Sequence, residues 1–87
     1  MIEIGFKPSF IRQLKRLDVE LVDEVLEKIE LFKNETNHAS LKTHKLHGRL
    51  AGRWSFSVNY KIRIVFSFVS KKEVVFLAIG DHDVYKL

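Results

Sequence analysis

Residues 54–80, WSFSVNYKIRIVFSFVSKKEVVFLAIG, decide the fold. Trp54, Phe56, Val58 and Tyr60 alternate with Arg53, Ser55, Ser57 and Asn59. A period of two is the mark of a strand with one buried face. Ile62, Ile64, Phe66 and Phe68 then alternate with Arg63, Val65, Ser67 and Val69, predicting a second strand. Ser70-Lys71-Lys72-Glu73 is a polar hairpin turn, and Val74 to Ile79 is apolar on both faces, as in a strand with neighbours on each side. Short connections make these three strands an antiparallel meander.

A sheet with an apolar face needs a cover, and the N-terminal third supplies it. Ile2 to Phe6 is short and alternating, which predicts a first strand. Pro8 suits a first helical turn, where its missing N–H is not needed. Phe10, Ile11, Leu14 and Leu17 follow at helical spacing. Asp18 is placed to cap a second helix, with Leu17 and Val22 set for a hydrophobic staple. Val22, Val25, Leu26, Ile29 and Phe32 form the apolar stripe of that helix, while Glu20, Asp23, Glu24, Glu27 and Glu30 occupy its other face. Asn34 to Leu50 has no clean period and reads as a long loop with room for a helical turn. The predicted class is α+β, in the order β-α-α-β-β-β. A helical hairpin packs on one face of a small, mostly antiparallel sheet, and the other face is partly open.

The chain's 87 residues predict a single domain spanning 1–87. Hydrophobic residues make up 46% and include seven Phe, enough for a core without disulfides, and there is no cysteine to form one. No apolar run approaches membrane-spanning length and no signal-peptide pattern opens the chain, so the expectation is a cytoplasmic protein that does not contact membrane. The formal net charge is +4, but its distribution says more. Between Glu35 and Glu73 there is no acid, and Lys42, Lys45, Arg49, Arg53, Lys61, Arg63, Lys71 and Lys72 fall there. That asymmetry suits a polyanion, nucleic acid first; a solvated basic face is the plain alternative.

Four features bear on chemistry. LKTHKLHGRLAGRW (41–54) sets His44 and His47 among Lys42, Lys45, Arg49 and Arg53, with Gly48 and Gly52 letting the backbone bend. Trp54 either stacks a base or packs the core. Arg63 is the one charge in an apolar strand; its planar fork suits a phosphate, or it pairs with Asp81, Asp83 or a helix glutamate. The tail GDHDVY (80–85) offers His82, a proton donor or acceptor near neutral pH, and Tyr85, or it is a frayed end. His44, His47, Asp81, His82 and Asp83 contain metal-ligand types, but without cysteines or a spaced carboxylate motif the reading assigns no metal and no cofactor. In a meander, Arg63, His82 and the His44 loop converge at one edge of the open face. Two histidines and an arginine beside a phosphate can cleave RNA: one removes the 2′-hydroxyl proton, the other protonates the departing 5′-oxygen, and arginine stabilises the phosphorane charge.

The sequence resembles the RelE/ParE toxin superfamily of type II toxin–antitoxin systems over nearly its whole length. FKPSFIRQLKRL, LKTHKLHGRLAGRWSFSV, YKIRIVF and IGDHDVY carry the resemblance, and the last three are similar to the RelE and YafQ branch. The resemblance implies a ribosome-dependent endoribonuclease that cuts translated mRNA in the A site, with a cognate antitoxin as partner. It implies that His44 is a general base, with His47 the alternative. Arg63 falls on a phosphate-contacting arginine, His82 on a terminal-strand general acid, and Tyr85 on an aromatic residue that packs on the target base or orients the substrate. Lys42, Lys45, His47, Arg49, Arg53 and Lys61 belong to the nucleic-acid-binding surface. The chain departs from the pattern in three places. Ser57 stands where YafQ-like toxins have a second histidine, Lys61-Ile62 replaces their Asp-Trp pair, and Lys42 and Lys45 only loosely echo the RelE lysine pair. The same superfamily holds ParE-like members that inhibit DNA gyrase without a catalytic set, which is the alternative function. A plain RNA-binding module is a third.

Overall fold

The computed structural model describes residues 1–86. Its strands are β1 (Glu3–Phe6), β2 (His44–Lys45), β3 (Trp54–Ser57), β4 (Arg63–Ser70) and β5 (Glu73–Gly80). Its helices are α1 (Pro8–Leu14) and α2 (Val19–Phe32), and short 3₁₀ turns cover Glu35–Asn37, Gly48–Leu50 and His82–Lys86. The sheet runs β1-β5-β4-β3-β2, antiparallel except where β1 pairs β5 in parallel. The predicted α+β class and element order hold. The one added strand is β2, inside the stretch read as loop; two residues are too few to show a period.

The meander forms as the alternation requires. Phe56, Ile64, Phe66, Val74, Phe76 and Ile79 point to one face and are buried with Phe10, Val25, Ile29 and Phe32 from the helices. Phe32 sits at the centre of this core. Its ring stacks on Phe56 at 4.5 Å and meets Phe66 edge-on at 4.9 Å. Leu26, read as part of the buried stripe, is half exposed (50%), whereas α2 buries Val25, Ile29 and Phe32 and packs Leu21 against the same core. Asp18 does take the N-cap position of α2, but its side chain makes no capping bond.

Two irregularities interrupt the regular ladder. β3 ends at Ser57, short of the predicted Tyr60, because Asn59 turns the chain: its side-chain oxygen accepts from the N–H groups of Lys61 and Ile62, each at 2.8 Å. That is an Asx-type turn, and it leaves Tyr60 outside the sheet. In β5, a register shift opposite Val65/Phe66 sets Leu77 and Ala78 together on the face away from the helices, where both join a second, smaller cluster. Beyond Phe6 no strand pairs the β1-side edge of β5. There α1 takes over: Ser9 Oγ donates to the Leu77 carbonyl (2.9 Å) and Gln13 Oε1 accepts from the Ile79 N–H (2.9 Å).

Candidate active site

The face turned away from the helices is built by register. Residues paired across a ladder project to the same side. His44 pairs Ser55, Ser55 pairs Val65, Val65 pairs Ala78, and Ser57 pairs Arg63, which pairs Gly80. His44, Ser55, Ser57, Arg63, Val65 and Ala78 therefore share this face. The C-terminal turn folds back over it. Val84 is buried against Val65 and Ala78, with Leu46, Leu77 and Tyr85 packed around them. Asp81 starts that turn by accepting from the N–H of Asp83 through its side chain and from the N–H of Val84 through its carbonyl, both at 2.9 Å. The tail is thus ordered by burial and capping, not frayed.

Tyr85 is held by this fold-back. Its hydroxyl lies 2.8 Å from Ser55 Oγ, and Ser55 is completely buried. The His82 ring is exposed and lies edge-on to Tyr85, 6.1 Å between centroids. The four residues singled out as catalytic, His44, Arg63, His82 and Tyr85, are thereby carried on one face: His44 and Arg63 by strand register, Tyr85 by its bond to Ser55, and His82 beside Tyr85.

His44 is exposed, and its Nδ1 is 2.8 Å from the Lys42 carbonyl oxygen. A carbonyl only accepts, so Nδ1 carries the hydrogen in this contact and the neutral ring keeps a lone pair on Nε2. That is the form a general base requires. The carbonyl is aimed by Lys42 itself, whose φ of 58° lies in the left-handed region, unusual for a residue other than glycine. Nη1 of Arg63 donates to the carbonyl oxygens of Asn59 and Ile62. Among the described residues Arg63 forms no ion pair, so the alternative of pairing with Asp81, Asp83 or a helix glutamate is not seen, and Nε and Nη2 are left to bind an anion.

The basic residues separate. Lys42 lies with Arg63 at one end of the face, around a small pocket that also takes in Ser57 and Asn59. Lys45 is on the opposite side, its ammonium 5.5 Å from the centre of the Trp54 ring. Trp54 packs against the main core, stacked near Phe66 and edge-on to Phe68, which decides its reading in favour of packing. His47 and Arg49 are exposed at the Gly48–Leu50 turn, where Gly48 has φ 66°. Arg53 lines a shallow groove with Lys7, Ser9 and Leu77, and Lys61 is exposed in the β3–β4 turn. Sequence reasoning missed Ser55, whose alternation marked it as an ordinary polar-face residue until the tail covered it. Among the described residues, no group of three His, Asp or Glu side chains comes together as metal ligands do, and no helix is long and apolar enough to cross a membrane.

No protein-family model matches the sequence, and no curated protein matches it. Solved structures do. A mutant of YafQ from Escherichia coli is similar over 98% of both chains, with a TM-score of 0.74 at 18% identity. The RelBE2 toxin–antitoxin complex from Mycobacterium tuberculosis matches over 93% of this chain and 98% of its own, with TM-score 0.71 and 19% identity. The YoeB–YefM toxin–antitoxin complex from Staphylococcus aureus matches over 94% and 98%, with TM-score 0.71 and 22% identity. On the strength of these near-complete overlaps, the chain has the fold of the RelE, YafQ and YoeB toxins.

Proposed function

We propose that this protein is the toxin of a toxin–antitoxin pair and an endoribonuclease that cleaves translated mRNA on the ribosome. The observation that carries the reading is the shared face: a histidine with a free Nε2 lone pair, an arginine with unengaged donors, and a second exposed histidine beside a tyrosine whose hydroxyl is held by the buried Ser55. In the reaction, His44 Nε2 takes the 2′-hydroxyl proton and the 2′-oxygen attacks phosphorus. Arg63 stabilises the charge on the five-coordinate phosphorane, and protonated His82 gives its proton to the departing 5′-oxygen. The products are a 2′,3′-cyclic phosphate and a free 5′-hydroxyl. Tyr85, fixed by Ser55, sets the position of His82 and packs on the target base or orients the substrate. The tautomer held by Lys42 favours His44 over His47 as the base.

An antitoxin partner is supported by the complexes of the RelBE2 and YoeB toxins. An apolar groove of about 820 Å³ between β1, α1 and α2, lined by Ile4, Phe6, Ile11, Leu14, Leu26 and Ile29, adjoins the outer edge of β1. It suits an apolar extended or helical segment of that antitoxin, while acids on the same partner neutralise the basic face. The test is cleavage mapped during translation, for wild type and for His44→Ala, Arg63→Ala and His82→Ala. Wild type cuts within translated codons and each variant loses about 10²–10⁴-fold in rate. A wild type that cuts nothing while blocking gyrase supercoiling replaces this reading with the ParE-like one.

A further inference from the structure

Beyond Arg63, the structure contains a cationic pocket that the cleavage chemistry does not use. Lys28, Lys42 and Arg63 line a cavity of about 260 Å³ with Ser57, Asn59 and Tyr60. The three cations come from α2, the loop before β2, and the start of β4, so they are distant in sequence and gathered by the fold. Among the described residues no carboxylate lines the cavity. Glu24, one turn from Lys28 on α2, is engaged by the Asn59 side-chain amide at 2.7 Å. Lys28 has no ion pair among the described residues, and it is half-buried, unlike a solvated surface lysine. The Glu24 carboxylate, held by a residue of the lining, offsets part of the three positive charges, and the excess suits an anion.

Tyr60 adds a second chemical feature. It stands at the lip of the cavity and is 90% exposed, the most exposed large hydrophobic residue described. The Asn59 turn holds it out of the sheet, so its ring buries nothing in this chain. An exposed aromatic ring beside clustered cations is the combination that binds single-stranded nucleic acid, with bases stacking on the ring and phosphates on the cations.

We infer that this pocket binds the RNA backbone phosphate next to the scissile one, with Lys28 and Lys42 as its ligands and Tyr60 stacking the base of that nucleotide. The inference rests on the RNA-cleavage reading and deepens it. Arg63 lies between the two positions: it lines this pocket and shares the open face with His44. Lys28 and Tyr60 are positioning residues, acting on binding and not on proton transfer.

The test is single-turnover cleavage on ribosomes programmed with a defined mRNA, measured against toxin concentration. Lys28→Ala and Tyr60→Ala raise the half-saturating concentration, by at least about fivefold for Tyr60→Ala, and leave the maximal rate near wild type. Lys28→Arg restores the wild-type value. Thermal melting checks that Lys28→Ala, which keeps a good helix former, and Tyr60→Ala stay folded. The decisive arm uses mRNAs in which one linkage beside the cut is a neutral methylphosphonate. Wild type weakens on one such mRNA, and Lys28→Ala weakens less on it, because Lys42 still faces the phosphate. If wild type cleaves but Lys28→Ala and Tyr60→Ala saturate as it does, or Lys28→Ala is as sensitive as wild type to every neutral linkage, the pocket assignment is wrong and the nuclease stands. If wild type cleaves no mRNA, the nuclease reading fails and the pocket assignment fails with it.

Discussion

At the scale of single residues, the contact between Ser55 and Tyr85 joins stability to the site. Ser55 Oγ is completely buried and has the Tyr85 hydroxyl as its partner at 2.8 Å. Tyr85→Phe leaves a buried hydroxyl without a partner, which costs about 1–3 kcal/mol. Adding Ser55→Ala removes the orphan, so the double variant is less destabilised than the sum of the singles, and a urea-denaturation cycle measures the coupling. A Tyr85→Phe variant that melts as wild type does removes this contact from the account of how His82 is positioned. Lys42 gives the opposite case. Its φ of 58° costs a non-glycine residue about 1–2 kcal/mol, and glycine adds back about 0.4–1 through the entropy of the unfolded chain. The difference makes Lys42→Gly more stable by up to about 1.6 kcal/mol in denaturant melts, while it weakens cleavage by removing a cation. A gain in stability with a loss of function marks strain held for the site. Histidine tautomer, tyrosine anchoring and backbone strain were invisible in the sequence, because each depends on how atoms are brought together in the fold. His44, Arg63 and His82 themselves were legible as residue types, since the meander brings strand starts and ends to a common edge.

At the scale of elements, α1 does more than cover the sheet. β1 stops at Phe6, and Ser9 and Gln13, one helical turn apart, take the exposed backbone of β5 at Leu77 and Ile79. An amide left unbonded there costs about 1–3 kcal/mol. Gln13→Leu therefore destabilises by that amount and speeds hydrogen exchange at Ile79 selectively; unchanged exchange there would show that the helix does not protect this edge. Because Ile79 and Gly80 lead directly into the turn bearing His82, the same variant lowers cleavage. α1, α2, β3 and β4 were legible because each repeats its period, and β5 because an unbroken apolar run fits a strand with neighbours on each side. β2 was not, since two residues show no period. It is placed by other bonds: the Leu46 N–H to the Arg53 carbonyl (2.8 Å) and the Ser57 N–H to the Leu41 carbonyl (2.8 Å) pin the loop to β3. The order of the tail was hidden for a related reason. Val84, the one buried side chain among its described residues, finds its partners Val65 and Ala78 only after the sheet has formed.

At the scale of the whole molecule, charge and core are arranged back to back. His44 and Arg63 lie on the sheet face turned from the helices, and at the Arg63 end Lys28 and Glu24 of α2 reach round the sheet to the same lining, so the cationic face continues onto α2 there. What holds the two sides together is one aromatic cluster. Phe32 meets Phe56, Phe66 and Phe76 at 4.5, 4.9 and 5.6 Å, and His38 stacks on its other side at 4.4 Å. A chain of this length has a total stability of about 4–13 kcal/mol. Phe32→Ala removes about 3–5 kcal/mol, because none of the fully buried rings around it can collapse freely into the space. Phe68 is an internal control: it lies on the same sheet and touches Trp54 and Phe66, yet it is 38% exposed. Phe68→Ala loses only the buried part of its contact and costs well under half as much. The measurement is a pair of denaturant melts with a common slope. Phe32→Ala takes the protein close to its unfolding threshold and silences cleavage without altering any residue of the site, whereas Phe68→Ala keeps both. Equal costs at the two positions would mean that the core is not centred on Phe32.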